Sequence, residues 1–367
     1  MSKKILFYIH SLNKGGAERV LLTVADEIGK DPDYDVVILT DTKDELEYPL
    51  PEGLKRITID EDKSISSPFD RLKAIRKHVK TENPDRVIVF MLSSVIRAVI
   101  ALRFTGYKII AAVRSNPYDD YSKGKNRLLL LHCLRYCSSI VCQTKYQADF
   151  FKGKLRDRCV IISNPIFREF AQKAKELADT RKSESLTSDK MSGNIVATGR
   201  LFDYKNHRLL IEAFADLADD YEGVNVVIYG EGPYRSELEK LIESKKLKNR
   251  VFLLGDSEHV EQDISDALIY VLPSDTEGLP NALMEAMALG LPVISTDCPC
   301  GGPKSLIKDG VNGILVSVND KEMMTRSIKR LLDDGPVRSR LGKEARKITE
   351  TNELGRIVEE WKKLINE

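Results

Sequence analysis

Two carboxylates, Glu277 and Glu285, stand eight residues apart in the stretch 274–310, SDTEGLPNALMEAMALGLPVISTDCPCGGPKSLIKDG. Glu277 falls in a polar turn after the apolar run Ile269 to Leu272, and Glu285 lies inside a helical pattern that starts near Asn281. The first is therefore expected on a strand-end loop and the second on a helix opening at the same crevice. Gly278 and Pro280 let the backbone turn sharply and free the amides at the helix start, where dipole and unsatisfied N–H groups together favour an anion. Two carboxylates flanking an anion site suit a ligand that is part phosphate and part polyol, which is the chemistry of a nucleotide sugar.

A second group is cationic. Arg200, after Gly199, and Lys205, before Asn206, are five residues apart where one strand pattern ends and a helical one begins. A planar guanidinium and a compact ammonium so placed can both reach a diphosphate and neutralise it as a leaving group without metal. The plain alternative is two surface cations in a polar loop. Gly15 and Gly16 sit at another strand-to-helix turn, where paired glycines permit positive φ and close approach to phosphate or sugar, with Arg19 one turn into the helix. Gly230-Glu-Gly-Pro233 closes a further strand and places Pro at a favoured first helical position. It is as well explained as a tight turn as by contact with a nucleoside. The acidic pairs Asp31/Asp33/Asp35 and Asp60/Asp62 have cation-binding spacing but lie in charged connections far from the phosphate candidates, so solvated turns are expected there. No His pair and no second Cys pair beside Cys298 and Cys300 has metal-ligand spacing, and neither a metal nor another cofactor is expected.

These residues need a scaffold that brings strand ends together. Apolar strands and helical stretches alternate: Lys4 to Ile9, Asp35 to Leu39, Arg86 to Phe90, Lys108 to Val113 and Ser139 to Cys142 read as strands, with helical segments such as Gly16 to Ile28 between. Such repetition argues an α/β doubly wound parallel sheet. Residues 169–193 break the rhythm with a polar run read as a linker or exposed insertion. A second series then follows, with strands at Ile195 to Thr198, Val224 to Tyr229, Val251 to Leu254, Ile269 to Leu272, Pro292 to Ser295 and Gly313 to Val316. The expected domains are 1–168 and 194–350, two Rossmann-like halves facing a central cleft at the carboxyl ends of their strands, with a tail helix over 351–367 that can return to the first half.

The 367 residues fit two domains of roughly 150 to 190 residues. No apolar run approaches the ~18 residues of a membrane span, and the N-terminus enters a strand without a secretory h-region, so a cytoplasmic location is expected. The six cysteines are scattered in a way that suits reduced thiols. The formal net charge of +1 conceals an asymmetry: residues 71–158 hold 19 Lys and Arg against 6 Asp and Glu. Such a segment attracts lipid headgroups or nucleic acid. With a sugar-type site alongside, the expected partner is an anionic membrane surface at the inner face of the plasma membrane and not nucleic acid; an ordinary solvated surface is the plain alternative. Lys123, Lys125, Arg127 and Arg135 flank the apolar run Leu128 to Leu131 as in an amphipathic surface helix.

Together, Gly15-Gly16, Gly199-Arg200 with Lys205-Asn206, Gly230-Glu-Gly-Pro233, and Glu277 and Glu285 with Gly278-Leu-Pro between them resemble the family 4 glycosyltransferases, a retaining class with the GT-B fold. The likeness spans almost the whole chain, and Thr296-Asp-Cys-Pro-Cys-Gly-Gly-Pro303 is similar to bacterial members that build capsules, exopolysaccharides or lipid-linked oligosaccharides. It implies that Arg200 and Lys205 meet the donor diphosphate, Glu285 the nucleotide ribose and Glu277 the donor sugar hydroxyls. Gly16 would line the site beside phosphate and acceptor, Gly230 would approach the nucleoside, and the amides of Leu279 to Asn281, with Gly278 and Pro280 shaping the turn, would add phosphate contacts. Many relatives carry a His after the strand that corresponds to Lys108 to Val113, near the acceptor. Here Arg114-Ser-Asn116-Pro stands instead, similar to some capsule-type relatives, and Arg114 cannot act as a base at neutral pH.

The resemblance implies a nucleotide-sugar donor, for which UDP is expected with GDP the alternative, a saccharide or polyprenyl-diphosphate-linked saccharide acceptor, and front-face substitution without metal. Three other readings compete. A glycoside hydrolase using Glu277 and Glu285 as its acid and nucleophile would need neither the basic pair nor the anion site. A sugar-nucleotide epimerase needs no acceptor, and a non-catalytic sugar-nucleotide-binding subunit does no chemistry.

Overall fold

The computed structural model describes residues 2–61, 65, 67–121, 125–180 and 192–367. The chain divides into two compact units, one formed by Met1–Pro165 with Gly355–Glu367 and the other by Ile166–Leu354.

The first unit is built on seven parallel strands, β1 (Lys3–Ile9), β2 (Tyr34–Thr40), β3 (Lys55–Thr58), β4 (Arg86–Phe90), β5 (Ile109–Ala112), β6 (Ser139–Cys142) and β7 (Cys159–Ile161), in the order 3-2-1-4-5-6-7. Central strands are apolar on both faces because helices cover both. Ile5 to Ile9 of β1 and Val87 to Phe90 of β4 are all buried. The two strands absent from the expectation, β3 (KRIT) and β7 (CVI), are the sheet edges, and only the last residue of β3 is buried. An edge strand covered on few sides carries little apolar signal. The tail helix Leu354–Asn366 completes this unit: Trp361 is fully buried and stacks on Phe90 with ring centroids 5.9 Å apart, and Lys362 pairs with Asp31 at 2.7 Å.

The second unit holds six parallel strands, β8 (Gly193–Thr198), β9 (Val224–Tyr229), β10 (Val251–Gly255), β11 (Ile269–Leu272), β12 (Val293–Thr296) and β13 (Ile314–Val316), in the order 10-9-8-11-12-13. Helix Lys321–Asp333 shows how its helices seat. Asp320 caps the first turn by accepting from the Met323 amide at 2.8 Å, and Met324, Ser327, Ile328, Leu331 and Leu332 form the buried stripe that 3.6-residue spacing puts on one face.

The stretch 169–193, read from its polarity as a linker, departs from that reading. It begins as helix Arg168–Thr180, whose Phe170 and Ala174 are buried and which packs against helices Val260–Asp263 and Asn281–Ala288 of the second unit. A narrow apolar stripe of small and aromatic residues is easily outvoted by the Lys and Glu on the other faces. Residues 181–191 lie outside the described residues.

Candidate active site

In the second unit the strand order reverses between β8 and β11, which pair in parallel with Ile269 beside Ile195. Ligands of open α/β sheets bind beyond the carboxyl ends of strands at such a reversal. β8 runs into Gly199–Asn206 and β11 into 273–280. The first loop is tied down by its own backbone: Gly199 N–H donates to Tyr229 O at 2.9 Å and Leu201 N–H to Glu231 O at 2.8 Å. The two loops are then joined to each other. Asp275 N–H donates to Tyr204 O at 2.8 Å, and Asn206, in a left-handed conformation (φ 49°) at the cap of helix His207–Ala215, donates from Nδ2 to Asp275 Oδ1 at 2.8 Å.

This clamp places Lys205 Nζ 2.6 Å from Glu277 Oε1, which also accepts from Ser274 Oγ at 2.7 Å. Both known bonds fall on one carboxylate oxygen. The Glu277 backbone exchanges hydrogen bonds with the loop after β12, donating to Pro299 O at 3.0 Å and accepting from the Cys300 amide at 3.2 Å. Glu285, 7% exposed, sits in helix Asn281–Ala288, whose N-terminus at Pro280 carries no side-chain cap.

Two glycines are fixed by close approach. A Cβ on Gly302 would lie 1.8 Å from Gly278 O, and one on Gly230, at φ 143°, would lie 2.1 Å from Gly199 O. The first presses the loop after β12 onto the Glu277 turn, and the second presses the β9 loop onto the Gly199 loop. Gly230 thus has a packing role whatever it does toward a ligand.

Arg200 is exposed, donates to Tyr204 OH at 3.1 Å and lies over the Phe202 ring at 5.0 Å. Beneath it His207 is 3% exposed, and neither ring nitrogen has a hydrogen-bond partner. Burial, with Lys205 nearby, lowers its pKa to about 4; the Gly199 and Arg200 backbone pulls weakly the other way without reaching hydrogen-bond geometry. The imidazole is therefore neutral at pH 7.

In the first unit, Gly16 opens helix Gly16–Gly29 behind Gly15, whose φ of −135° is extended backbone, so Gly15 does not use the positive φ that glycine permits. A Cβ on Gly15 would meet the Glu18 carboxylate at 2.3 Å. Arg114, beyond β5, is 8% exposed, with its guanidinium 4.4 Å from the Phe90 ring centre and 5.4 Å from that of Trp361. Its Nη1 donates to Asn164 Oδ1 at 2.9 Å, while Nε and Nη2 have no partner. Burial holds its pKa below the usual arginine value while leaving it a cation at neutral pH. Asn116, 5% exposed, caps the short helix Pro117–Asp120 by accepting from the Tyr118 amide at 3.0 Å. Both acceptor-side candidates are thus inward-facing, at the carboxyl end of the sheet.

One group escaped sequence reasoning. Asp41, fully buried at the end of β2, accepts from Tyr8 OH at 2.8 Å, from Arg97 Nη2 at 2.9 Å and bonds His10 Nδ1 at 2.8 Å, with the His10 side chain 53% exposed. The available signal was a His directly after the first strand; its partner comes from the neighbouring strand, which spacing along the chain does not reveal. Among the described residues no group of three or more His, Cys, Asp or Glu side chains is placed to hold a metal ion, and all six cysteines are free thiols.

Two family models divide the chain between them, "Glycosyltransferase Family 4" over residues 14–170 and "Glycosyl transferases group 1" over residues 179–348. The chain belongs to glycosyltransferase family 4. This glycosyltransferase is 28% identical over 372 residues, 99% of its own length and 98% of the other's, to the GalNAc-α-(1→4)-GalNAc-α-(1→3)-diNAcBac-PP-undecaprenol α-1,4-N-acetyl-D-galactosaminyltransferase of Campylobacter jejuni. It is 27% identical over 373 residues to an uncharacterized glycosyltransferase of Haemophilus influenzae, covering 99% and 100% of the two chains. Among solved structures, Anabaena HepE in complex with UDP superposes with a TM-score of 0.81 at 17% identity, covering 99% of each chain. With the two parallel-sheet units, that likeness gives the glycosyltransferase a GT-B fold.

Proposed function

We propose that the chain transfers a sugar, with retention of configuration and without a metal ion, from a UDP-sugar to a saccharide carried on a polyprenyl diphosphate. The observation that carries this reading is the Lys205–Glu277 pair, set at the strand reversal of the second unit, where the loop after β11 leads into helix Asn281–Ala288. A diphosphate at the N-terminus of that helix draws Lys205 and Arg200 onto its oxygens, and Glu277 then turns to the hydroxyls of the donor sugar. Glu285 holds the ribose. The bond from the anomeric carbon to the phosphate oxygen breaks as the acceptor oxygen bonds the same face. The acceptor proton passes to the departing phosphate oxygen, so no separate base is required. Each lost donor to that developing charge is worth about 3 to 4 kcal/mol of transition-state stabilisation.

Support for the donor comes from UDP bound in HepE, and for the acceptor from the undecaprenol-linked substrate in the name of the Campylobacter relative. Arg114 and Asn116 are assigned to shaping the acceptor side from within, with Gly16 lining it. The charge excess of residues 71–158 favours work at an anionic membrane.

The test is nucleotide release by purified protein given a panel of UDP-sugars, with and without a polyprenyl-diphosphate saccharide, in excess chelator. Release that requires the acceptor and survives chelation, with an α-linked product by NMR from an α-linked donor, is the expected result. Isomerised donor without release would mark an epimerase, donor binding without turnover a partner subunit, and an inverted product would remove the retaining assignment.

A further inference from the structure

Helix Lys125–Leu134 of the first unit is apolar on two sides. Leu130, Cys133, Leu134 and Cys137 are buried in the unit's core, as one stripe should be. Leu128, Leu129, His132, Arg135 and Tyr136 recur at spacings of one, three and four on the opposite face, where Leu128 is 71%, Leu129 42% and Tyr136 46% exposed. A helix with water on its outer side normally carries polar residues there.

The neighbouring helix Leu92–Leu102 packs alongside and adds to the same face. Phe104, just beyond its end, is 89% exposed and held at φ 65°, a left-handed conformation unfavourable for a bulky residue. Arg103 joins the two contributions: its guanidinium lies 4.9 Å from the Phe104 ring centre and 5.1 Å from that of Tyr136, and its Nη2 donates to Tyr136 OH at 3.2 Å. The charge around the patch is one-sided. Residues 86–148, which contain both helices, hold ten Lys and Arg against two acidic residues, Asp119 and Asp120. Lys123, expected to join this face, lies outside the described residues, and the side chain of Lys125 is likewise not described.

We propose that this face docks on an anionic bilayer, with Phe104, Leu128, Leu129 and Tyr136 entering the headgroup–acyl boundary and Arg103 and Arg135 meeting lipid phosphates. Exposed apolar side chains with arginines beside them, in a segment of net positive charge, match such a surface in both chemistry and charge. The proposal rests on the membrane reading given above and supplies the surface for it.

The test is co-sedimentation of the full chain with phosphatidylcholine vesicles containing none or about 30% phosphatidylglycerol, at low and high salt. Wild-type protein should bind the anionic vesicles and lose affinity with added salt. The triple variant Phe104→Ser, Leu128→Gln, Leu129→Gln should bind at least about 10-fold more weakly with an unchanged melting temperature, and Arg103→Gln with Arg135→Gln should weaken the salt dependence. If wild type and triple variant bind anionic vesicles equally, this surface is wrong while the membrane reading stands. If wild type ignores anionic lipid altogether, the membrane reading falls with it. A concentration-dependent dimer in sedimentation velocity, abolished by the triple variant and accompanied by no vesicle binding, would make the face a contact between copies of this chain instead.

Discussion

The ammonium of Lys205 lies 2.6 Å from Oε1 of Glu277, joining two loops whose residues are 72 positions apart, with side chains only 18% and 11% exposed. Each charge is held in a poorly solvated place by the other. Removing either partner strands its mate, which typically costs about 3 to 5 kcal/mol for a fully buried pair and less for this partly buried one. Glu277→Ala and Lys205→Ala should each destabilise the second unit, and the double variant should lose less than the sum by about 1 to 3 kcal/mol. Urea unfolding of the four proteins measures that coupling; additive losses would mean that the pair contributes nothing jointly.

Gly302→Ala and Gly230→Ala should each disturb the donor loops, because their Cβ atoms would fall 1.8 Å and 2.1 Å from carbonyl oxygens of the backbone. Overpacking of this kind costs about 1 to 3 kcal/mol. UDP affinity measured by titration should fall with it. Gly310→Ala is the comparison: φ is 70° there but no atom lies within 4 Å of the new Cβ, so stability should drop modestly and UDP binding should stay as in wild type.

The buried His207 makes the second unit sensitive to acid. Its folded pKa, about 4, is depressed below the ordinary 6.5, so between those values the unfolded chain binds the extra proton. Stability contributed by the neutral ring is complete above pH 6.5 and is lost as pH falls toward 4, by up to about 3 kcal/mol. Thermal unfolding of wild type and His207→Gln from pH 7 to 4.5 should show the wild type falling more steeply. Parallel curves would mean that the ring does not titrate this way.

The central strands could be read from sequence because a parallel strand buried on both faces writes an unbroken apolar run, as β1 and β11 do. The edge β3 and the helix Arg168–Thr180 write weaker patterns because charged residues share them, and β7, CVI, is only three residues long. For the site, Arg200, Lys205 and Glu277 stand out by residue type in loops after strands, and Glu285 in the helix that follows one. What the sequence does not show is who touches whom: Lys205 reads as a phosphate ligand and Glu277 as a sugar ligand, while the fold makes them partners. Arg114 reads as an acceptor-side cation standing where many relatives have a His, and nothing in the sequence tells that the tail helix brings Trp361 against it from the far end of the chain. Asp41 and His10 are joined only by the parallel pairing of β1 with β2.

The most direct test of the account is the donor saturation curve of four variants. Arg200→Ala and Lys205→Ala remove charge that grows in importance as the diphosphate leaves, so kcat should fall roughly 10²-fold or more with a smaller change in donor KM. Glu285→Gln should chiefly raise KM, because the ribose is gripped equally before and during reaction, and Glu277→Ala should damage both parameters. If Lys205→Ala keeps the wild-type kcat while Glu285→Gln abolishes turnover at unchanged KM, the cations are not the chemical centre and the roles assigned to the two carboxylates are wrong.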